Sequence, residues 1–270
     1  MNPNKLLWEK GDFTIIAKTM RQSGTELVST FGIQPGMKVL DLGCGDGTTA
    51  IPAALLGAHV QGVDIATNLV AAGNARIKAE QVPYCSITEG DATDLRDLGS
   101  ESFDLAVSIF GAMFAPRPFD VAKELVRVVK PGGRIIMGNW IPGDPTLVAQ
   151  ILRISSAYTP PPPADFVSPM LWGVEEKVTE RFTAAGIDAK NIRFTKTPFT
   201  FRAACSPAEF VHQFRSFYGP TMNAFEAAEK NGKADELQHE LEALFESQNK
   251  SGDNSQTVVT ATFLLVEATK

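Results

Sequence analysis

Four groups of residues in this chain have types and spacings suited to holding a small organic ligand. The first is Val39-Leu40-Asp41-Leu42-Gly43-Cys44-Gly45-Asp46-Gly47. A short apolar run ends in a carboxylate and breaks into alternating glycines, which let the backbone turn tightly and approach a ligand closely. The second is Val63-Asp64-Ile65, 23 residues after Asp41. A carboxylate at that strand end can accept both hydroxyls of a ribose. The third is Glu89-Gly90-Asp91-Ala92, where Asp91 can accept from an adenine amino group while Ala92 lines the ring. The fourth pairs Phe103-Asp104 with the run Val129-Lys130-Pro131-Gly132-Gly133-Arg134. Together they suit recognition of a nucleoside-bearing molecule at the carboxyl ends of parallel strands.

The elements that must position these groups alternate. Residues 5–33 read as helical, anchored by Trp8, Phe13, Ile16, Met20, Leu27 and Phe31. Strands are predicted at 37–42, 59–64, 84–88, 103–109 and 134–139, with helices at 48–57, 66–81 and 118–129 between them. The strand at 103–109 is an almost continuous apolar run, as a parallel strand buried on both faces requires. Lys130-Pro131-Gly132-Gly133 reads as the stop that ends a helix before strand five. Beyond Trp140 the rhythm is lost. Helices are expected at 146–157 and 175–185, and a rigid extended run at Pro160 to Pro163. A sixth strand is expected at 192–201, with Pro198 marking a bend or edge. A helical stretch covers 207–247, broken at Phe217-Tyr218-Gly219-Pro220, and a last strand covers 257–268. The fold class is α/β, a doubly wound, seven-stranded, mostly parallel sheet with helical cap insertions. The organisation is an N-terminal helical segment (1–36), a ligand-binding core (37–139) and a sheet completion (140–270). The last carries two inserted segments, about 140–173 and 205–255, that would cap the site.

Composition narrows the partners. The 270 residues carry a formal charge of −6, with 25 Lys and Arg against 31 Asp and Glu. No basic run interrupts that balance, so a nucleic-acid partner is not expected. A small molecule is the better default. No stretch approaches the roughly 20 apolar residues of a membrane span, and the N-terminus lacks the apolar core of a signal peptide. Cys44, Cys85 and Cys205 are widely spaced, odd in number and without metal-ligand spacing. They fit a reducing cytoplasm as small buried residues. No metal set is expected.

Across residues 37–139 the chain resembles the class I S-adenosylmethionine-dependent methyltransferases, whose Rossmann-like sheet motifs occur here in order. A dinucleotide site would place a third glycine where Thr48 stands, with a pyrophosphate on the helix N-terminus. Asp41 and Asp46 would bring negative charge to that diphosphate, whereas a sulfonium and an amino group suit acids. The resemblance implies S-adenosylmethionine as cofactor and S-adenosylhomocysteine as product. It implies that Asp41, Gly43, Cys44 and Gly45 hold the methionine end, with Asp41 near the amino group. Asp64 and Ile65 would contact ribose and adenine, Asp91 and Ala92 would clamp the adenine, and Ser108 and Ile109 would face the reactive end. Asp46 reads equally as a helix N-cap or a ligand contact. Within the class the chain looks most like small-molecule methyltransferases of the ubiquinone/menaquinone-biosynthesis type. The runs Ser108–Pro116, Gly138-Asn139-Trp140, Leu171-Trp172-Gly173 and 214–220 support that. A silent adenosylmethionine or adenosylhomocysteine binder and a nicotinamide-dependent oxidoreductase are the alternatives.

The acceptor side is less legible. Methyl transfer from a sulfonium is an in-line displacement that needs alignment more than acid or base. A base enters only if the acceptor must lose a proton early. His212, Asn139 and Tyr158 are the candidate catalytic groups, although His212 also reads as a surface imidazole. Tyr158, Trp172, Tyr218 and Arg215 are candidates for an aromatic-acceptor pocket, with Phe110, Met113, Phe114 and Trp140 as its floor. The expected partner is a small acceptor, partly apolar or aromatic.

Overall fold

The computed structural model describes residues 2–163 and 166–270. The expected segments 1–36 and 140–173 therefore include three positions, 1, 164 and 165, that lie outside the described residues. Strands β1 (Lys38–Leu42), β2 (His59–Asp64), β3 (Cys85–Glu89), β4 (Phe103–Ile109), β5 (Val129–Trp140), β6 (Ile192–Ala203) and β7 (Thr257–Thr269) form one sheet. Their order is β3-β2-β1-β4-β5-β7-β6. β7 runs antiparallel to both of its neighbours and, among the described strands, is the one that is reversed.

The period-two pleat divides the strand residues between two cores. Val39, Val60, Leu105, Val107 and Ile136 pack with Val28, Ala50 and Ile51. These last come from α2 (Phe13–Val28) and α3 (Ala50–Leu55). Leu40, Leu42, Ala106, Ile135 and Met137 pack with Val121, Leu125, Val178 and Phe182. Those belong to α5 (Pro118–Val128) and α7 (Glu175–Ala184). Both faces are thus covered, which explains why β4 needs apolar residues at nearly every position. α4 (Thr67–Ala79) covers β2 and β3. Residues 140–173 supply α6 (Leu147–Ser156), and residues 205–255 supply α8 (Pro207–Phe217), α9 (Gly219–Lys230) and α10 (Ala234–Gln248). Among the described residues no helix is long and apolar enough to cross a membrane.

Three expectations need correction. The segment 5–33 is two helices, α1 (Pro3–Trp8) and α2, parted near Gly11 at φ +73°. Strand five starts at Val129, because Pro131-Gly132-Gly133 forms a bulge rather than a stop. Phe103 pairs with Val129 and Leu105 with Arg134, so three extra residues are absorbed between these registers. The stretch 207–247 breaks a second time, after α9, at Asn231-Gly232. Pro198 does sit in an edge strand, since β6 pairs with β7 alone.

Candidate active site

The strand order reverses between β1 and β4, where an open α/β sheet leaves a crevice at the strands' carboxyl ends. A cavity occupies that crevice. Its floor is the β1 loop, with Gly43, Gly45 and Gly47 at φ +68°, +55° and +86°. A Cβ on Gly45 would project into open space. Gly43 instead meets the loop after β4, with its backbone against that of Gly111. Ser108 ties the two loops together: its Oγ donates to Leu42 O (2.6 Å) and accepts from Ala112 N (2.9 Å).

The cavity is lined by Gly43, Cys44, Gly45, Asp64, Ile65, Ala92 and Ile109, seven of the ten positions expected to contact the cofactor. Asp64 is nearly buried, and its carboxylate accepts from Gly45 N (2.8 Å) and Ala66 N (2.9 Å). It therefore fixes the glycine loop and the start of α4 while keeping lone pairs free. Burial raises its pKa. Asp41, Asp91 and Ser108 stand behind the lining. Asp41 is fully buried beneath the loop, and Thr49 Oγ1 donates to its Oδ2. Its Oδ1 has no partner among the described residues. Burial pushes this carboxyl up to about 7. Asp91 accepts from Thr93 N and Oγ1 (2.9 and 2.8 Å) through Oδ1, and from Asn2 Nδ2 (3.3 Å) through Oδ2. Burial holds the Cys44 thiol well above its ordinary range, so it is no nucleophile.

Asp46 lines the cavity but is not free. It is buried and ion-paired with Arg21 (2.8 Å) and Arg76 (3.6 Å). Its charge is thus neutralised, and the acidity of the loop rests on Asp41 and Asp64 alone.

The sequence did not indicate the roof. Asn4 and Trp8 of α1, with Phe13 and Met20 of α2, complete the cavity wall. Polar contacts anchor α1 over the site: Lys5 pairs with Glu89, Asn2 with Asp91, and Glu9 accepts from Thr67 N (3.1 Å).

A second chamber adjoins the first and shares Trp8, Phe13, Met20 and Phe110 with it. Ile16, Phe114, Trp140, Phe201, Phe214 and Tyr218 add to its wall, with Val148, Ile151 and Leu152 from α6. Phe110 forms the partition. It holds φ +61°, a strained backbone for a bulky side chain, and stacks on Trp140 at 3.7 Å between centroids and 9° between planes.

The expected acceptor-side residues divide. Tyr218, Phe110, Phe114 and Trp140 line the chamber, whereas Met113 is core. Trp172 is buried beneath the Arg181 guanidinium (4.5 Å). Arg215 turns to Glu229 (3.0 Å) and lies over the Phe225 ring (4.5 Å). None of the three candidate catalytic groups reaches either cavity. His212 is exposed on the outer face of α8, near Ser216 Oγ (3.4 Å). Tyr158 donates its hydroxyl to Glu240 (2.6 Å), away from the site. Asn139 is fully buried, and neither amide atom has a partner among the described residues. The pleat explains it: Asn139 points to the opposite sheet face from Trp140.

Comparison with known proteins agrees with this architecture. Residues 40–137 match the family described as a methyltransferase domain (Methyltransf_11). An uncharacterized protein of Mycobacterium tuberculosis is 35% identical over 223 residues, covering 82% of this chain and 79% of that one. The demethylmenaquinone methyltransferase of Bacillus cytotoxicus is 34% identical over 114 residues, 41% of this chain and 48% of the enzyme. The YcgJ protein of Bacillus subtilis superimposes with a TM-score of 0.60 at 18% identity, over 92% of this chain and 98% of that one. Phosphoethanolamine N-methyltransferase 2 of Haemonchus contortus, solved with S-adenosyl-L-methionine, gives 0.57 at 18% identity, over 92% and 52%. At such identities the superpositions establish the fold. The class is therefore that of the Rossmann-like methyltransferases, and the chain belongs to the class I S-adenosylmethionine-dependent enzymes. S-adenosylmethionine is its cofactor. The site suits that molecule: open space above Gly45 and a free lone-pair set on Asp64 face one cavity, and behind its lining lies an unpartnered buried carboxylate oxygen on Asp41.

Proposed function

We propose that this chain transfers the methyl group of S-adenosylmethionine to a small, partly apolar acceptor. One observation carries the reading: the cavity over the glycine loop adjoins an aromatic chamber across a shared wall of Trp8, Phe13, Met20 and Phe110. When bound, the cofactor supplies a methyl group already activated as a sulfonium. The protein's contribution is then alignment and exclusion of water. Gly43, Cys44 and Gly45 give the methionine end backbone contact. Asp41 balances its ammonium, Asp64 and Ile65 hold the ribose and adenine, and Ala92 and Ile109 pack along the ligand. Asp91 meets an adenine amino group by exchanging Asn2 for it. Ser108 acts as a brace between the loops. The inserted segments 140–173 and 205–255, with α1, form the cap. Three free cysteines suit a cytoplasmic location.

The test uses methyl-labelled S-adenosylmethionine with mixed neutral phenols, thiols and amines. Label in an organic extract is expected. Label confined to added protein or RNA would overturn the small-molecule reading, and no transfer to any acceptor class would favour a silent binder.

The Asp41 assignment makes cofactor binding pH-dependent. In the free protein this carboxyl titrates near 7, above its ordinary 3.8, so it stabilises the fold at low pH. That contribution is lost as pH rises from about 4 to about 7. An ammonium beside it favours the ionised form, so binding below pH 7 releases a proton. The affinity for S-adenosylhomocysteine should fall about tenfold per pH unit below 7 and level off above it. Calorimetry at pH 6 in two buffers of different ionisation enthalpy should count close to one proton released. Asp41→Asn should release none.

A further inference from the structure

The aromatic chamber contains a polar group that no protein contact explains. Tyr218 is 7% exposed, lines the chamber, and its hydroxyl makes no hydrogen bond among the described residues. A hydroxyl set in an otherwise apolar wall offers a hydrogen bond for a ligand to take. The ring cannot readily swing away to find a protein partner. It is packed against Phe214 (5.4 Å), Phe13 (6.0 Å) and Trp8 (6.1 Å), and its backbone is pinned at the junction of α8 and α9 by Tyr218 N donating to Phe214 O (3.1 Å). Tyr158, the other tyrosine of the inserted segments, satisfies its hydroxyl on Glu240.

The rest of the lining is aliphatic and aromatic, with the thioether of Met20 and the indole nitrogens of Trp8 and Trp140 as its other side-chain heteroatoms. No Asp, Glu, Lys, Arg or His is among its lining residues. A charged ligand would lose its hydration there without replacement. The stacked Phe110–Trp140 pair gives the wall a flat face.

We propose that this chamber is the acceptor site and takes an uncharged, flat, hydrocarbon-rich molecule bearing one hydrogen-bonding oxygen, which the Tyr218 hydroxyl meets. The proposal rests on the methyltransferase reading and adds the class of acceptor and the residue that orients it. Burial pushes the Tyr218 hydroxyl above the ordinary phenol range, so it stays protonated and donates rather than acting as a base. Tyr218 is therefore a positioning residue.

The test uses 2-naphthol and naphthalene as probes, with 2-naphthoate as the charged control. Wild type and Tyr218→Phe are first titrated with S-adenosylhomocysteine, then each probe is titrated into the loaded protein. The substitution removes a hydroxyl with no hydrogen bond among the described residues, so both proteins should bind S-adenosylhomocysteine alike. The expected result is that 2-naphthol binds wild type about tenfold more tightly than Tyr218→Phe. Naphthalene should bind both equally, and 2-naphthoate neither. Equal 2-naphthol affinity for the two proteins, or 2-naphthoate binding as tightly as 2-naphthol, would overturn the proposal. Absence of S-adenosylhomocysteine binding in wild type would instead strike at the methyltransferase reading beneath it.

Discussion

Replacing Asp64 by alanine is expected to weaken S-adenosylhomocysteine binding by at least a hundredfold. The carboxylate has two oxygens, each already accepting one backbone N–H, from Gly45 and Ala66. The remaining lone pairs face the cavity, where they would accept the two ribose hydroxyls. Hydrogen bonds to a charged group contribute about 1.5–3 kcal/mol each, so losing both exceeds a factor of one hundred. The same carboxylate also has a structural duty. Without the carboxylate, Gly45 N and Ala66 N lose their partners, and Ala66 has no side chain with which to cap α4. A stability loss of about 2 kcal/mol is expected, or a Tm lower by about 4–8 °C with the far-ultraviolet dichroism unchanged. Calorimetry and a thermal melt separate the two effects. Wild-type affinity in a destabilised Asp64→Ala protein would refute the ribose assignment.

Gly111→Ala should be more damaging still. The added Cβ would lie 2.2 Å from Gly43 O and 2.7 Å from Gly43 Cα, contacts that no side-chain rotation relieves. Both partners are backbone, and both loops are fixed at strand ends by the Ser108 brace. The loops after β1 and β4 must part, which disturbs the cavity floor and the strained Phe110 beside it. A loss of about 3 kcal/mol or more is expected, or roughly 10 °C in Tm, with S-adenosylhomocysteine binding abolished in whatever folds. Gly143→Ala is the comparison. That glycine holds φ +72° in open space, so alanine costs only backbone strain, about 1 kcal/mol. Equal melting temperatures for the two variants would show that the loops do not meet as described.

Much of the cofactor half was legible because it depends on local chemistry. β2 and β4 have the bounds that their apolar runs suggest, and the glycines at 43, 45 and 47 all occupy the left-handed region that their spacing implied. The misreadings share a different cause. Pro131-Gly132-Gly133 has the composition of a stop, yet the sheet absorbs it as a bulge because strands on either side stay paired. The break between α1 and α2 depends on Gly11, whose Cβ would strike Met222 Sδ and Phe217 O from a helix pair some 200 residues away in sequence. The roof residues Asn4 and Trp8 owe their place to the same long-range packing.

The acceptor side was least legible for a physical reason. Chemical reactivity drew attention to His212, Asn139 and Tyr158, but helical phase, strand pleat and a glutamate partner turn each away from the cavity. The residues that form the chamber are ordinary aromatic and aliphatic ones, indistinguishable in sequence from core. Tyr218 alone among the chamber's described lining residues carries a hydroxyl.

The most direct test of this account is calorimetric titration of the purified protein with S-adenosylhomocysteine, with NAD as the control ligand. One-to-one binding of S-adenosylhomocysteine at micromolar strength or better, with no heat from NAD, is the expected result. A clear NAD signal with silence from S-adenosylhomocysteine would contradict it, and would return the glycine loop to a dinucleotide.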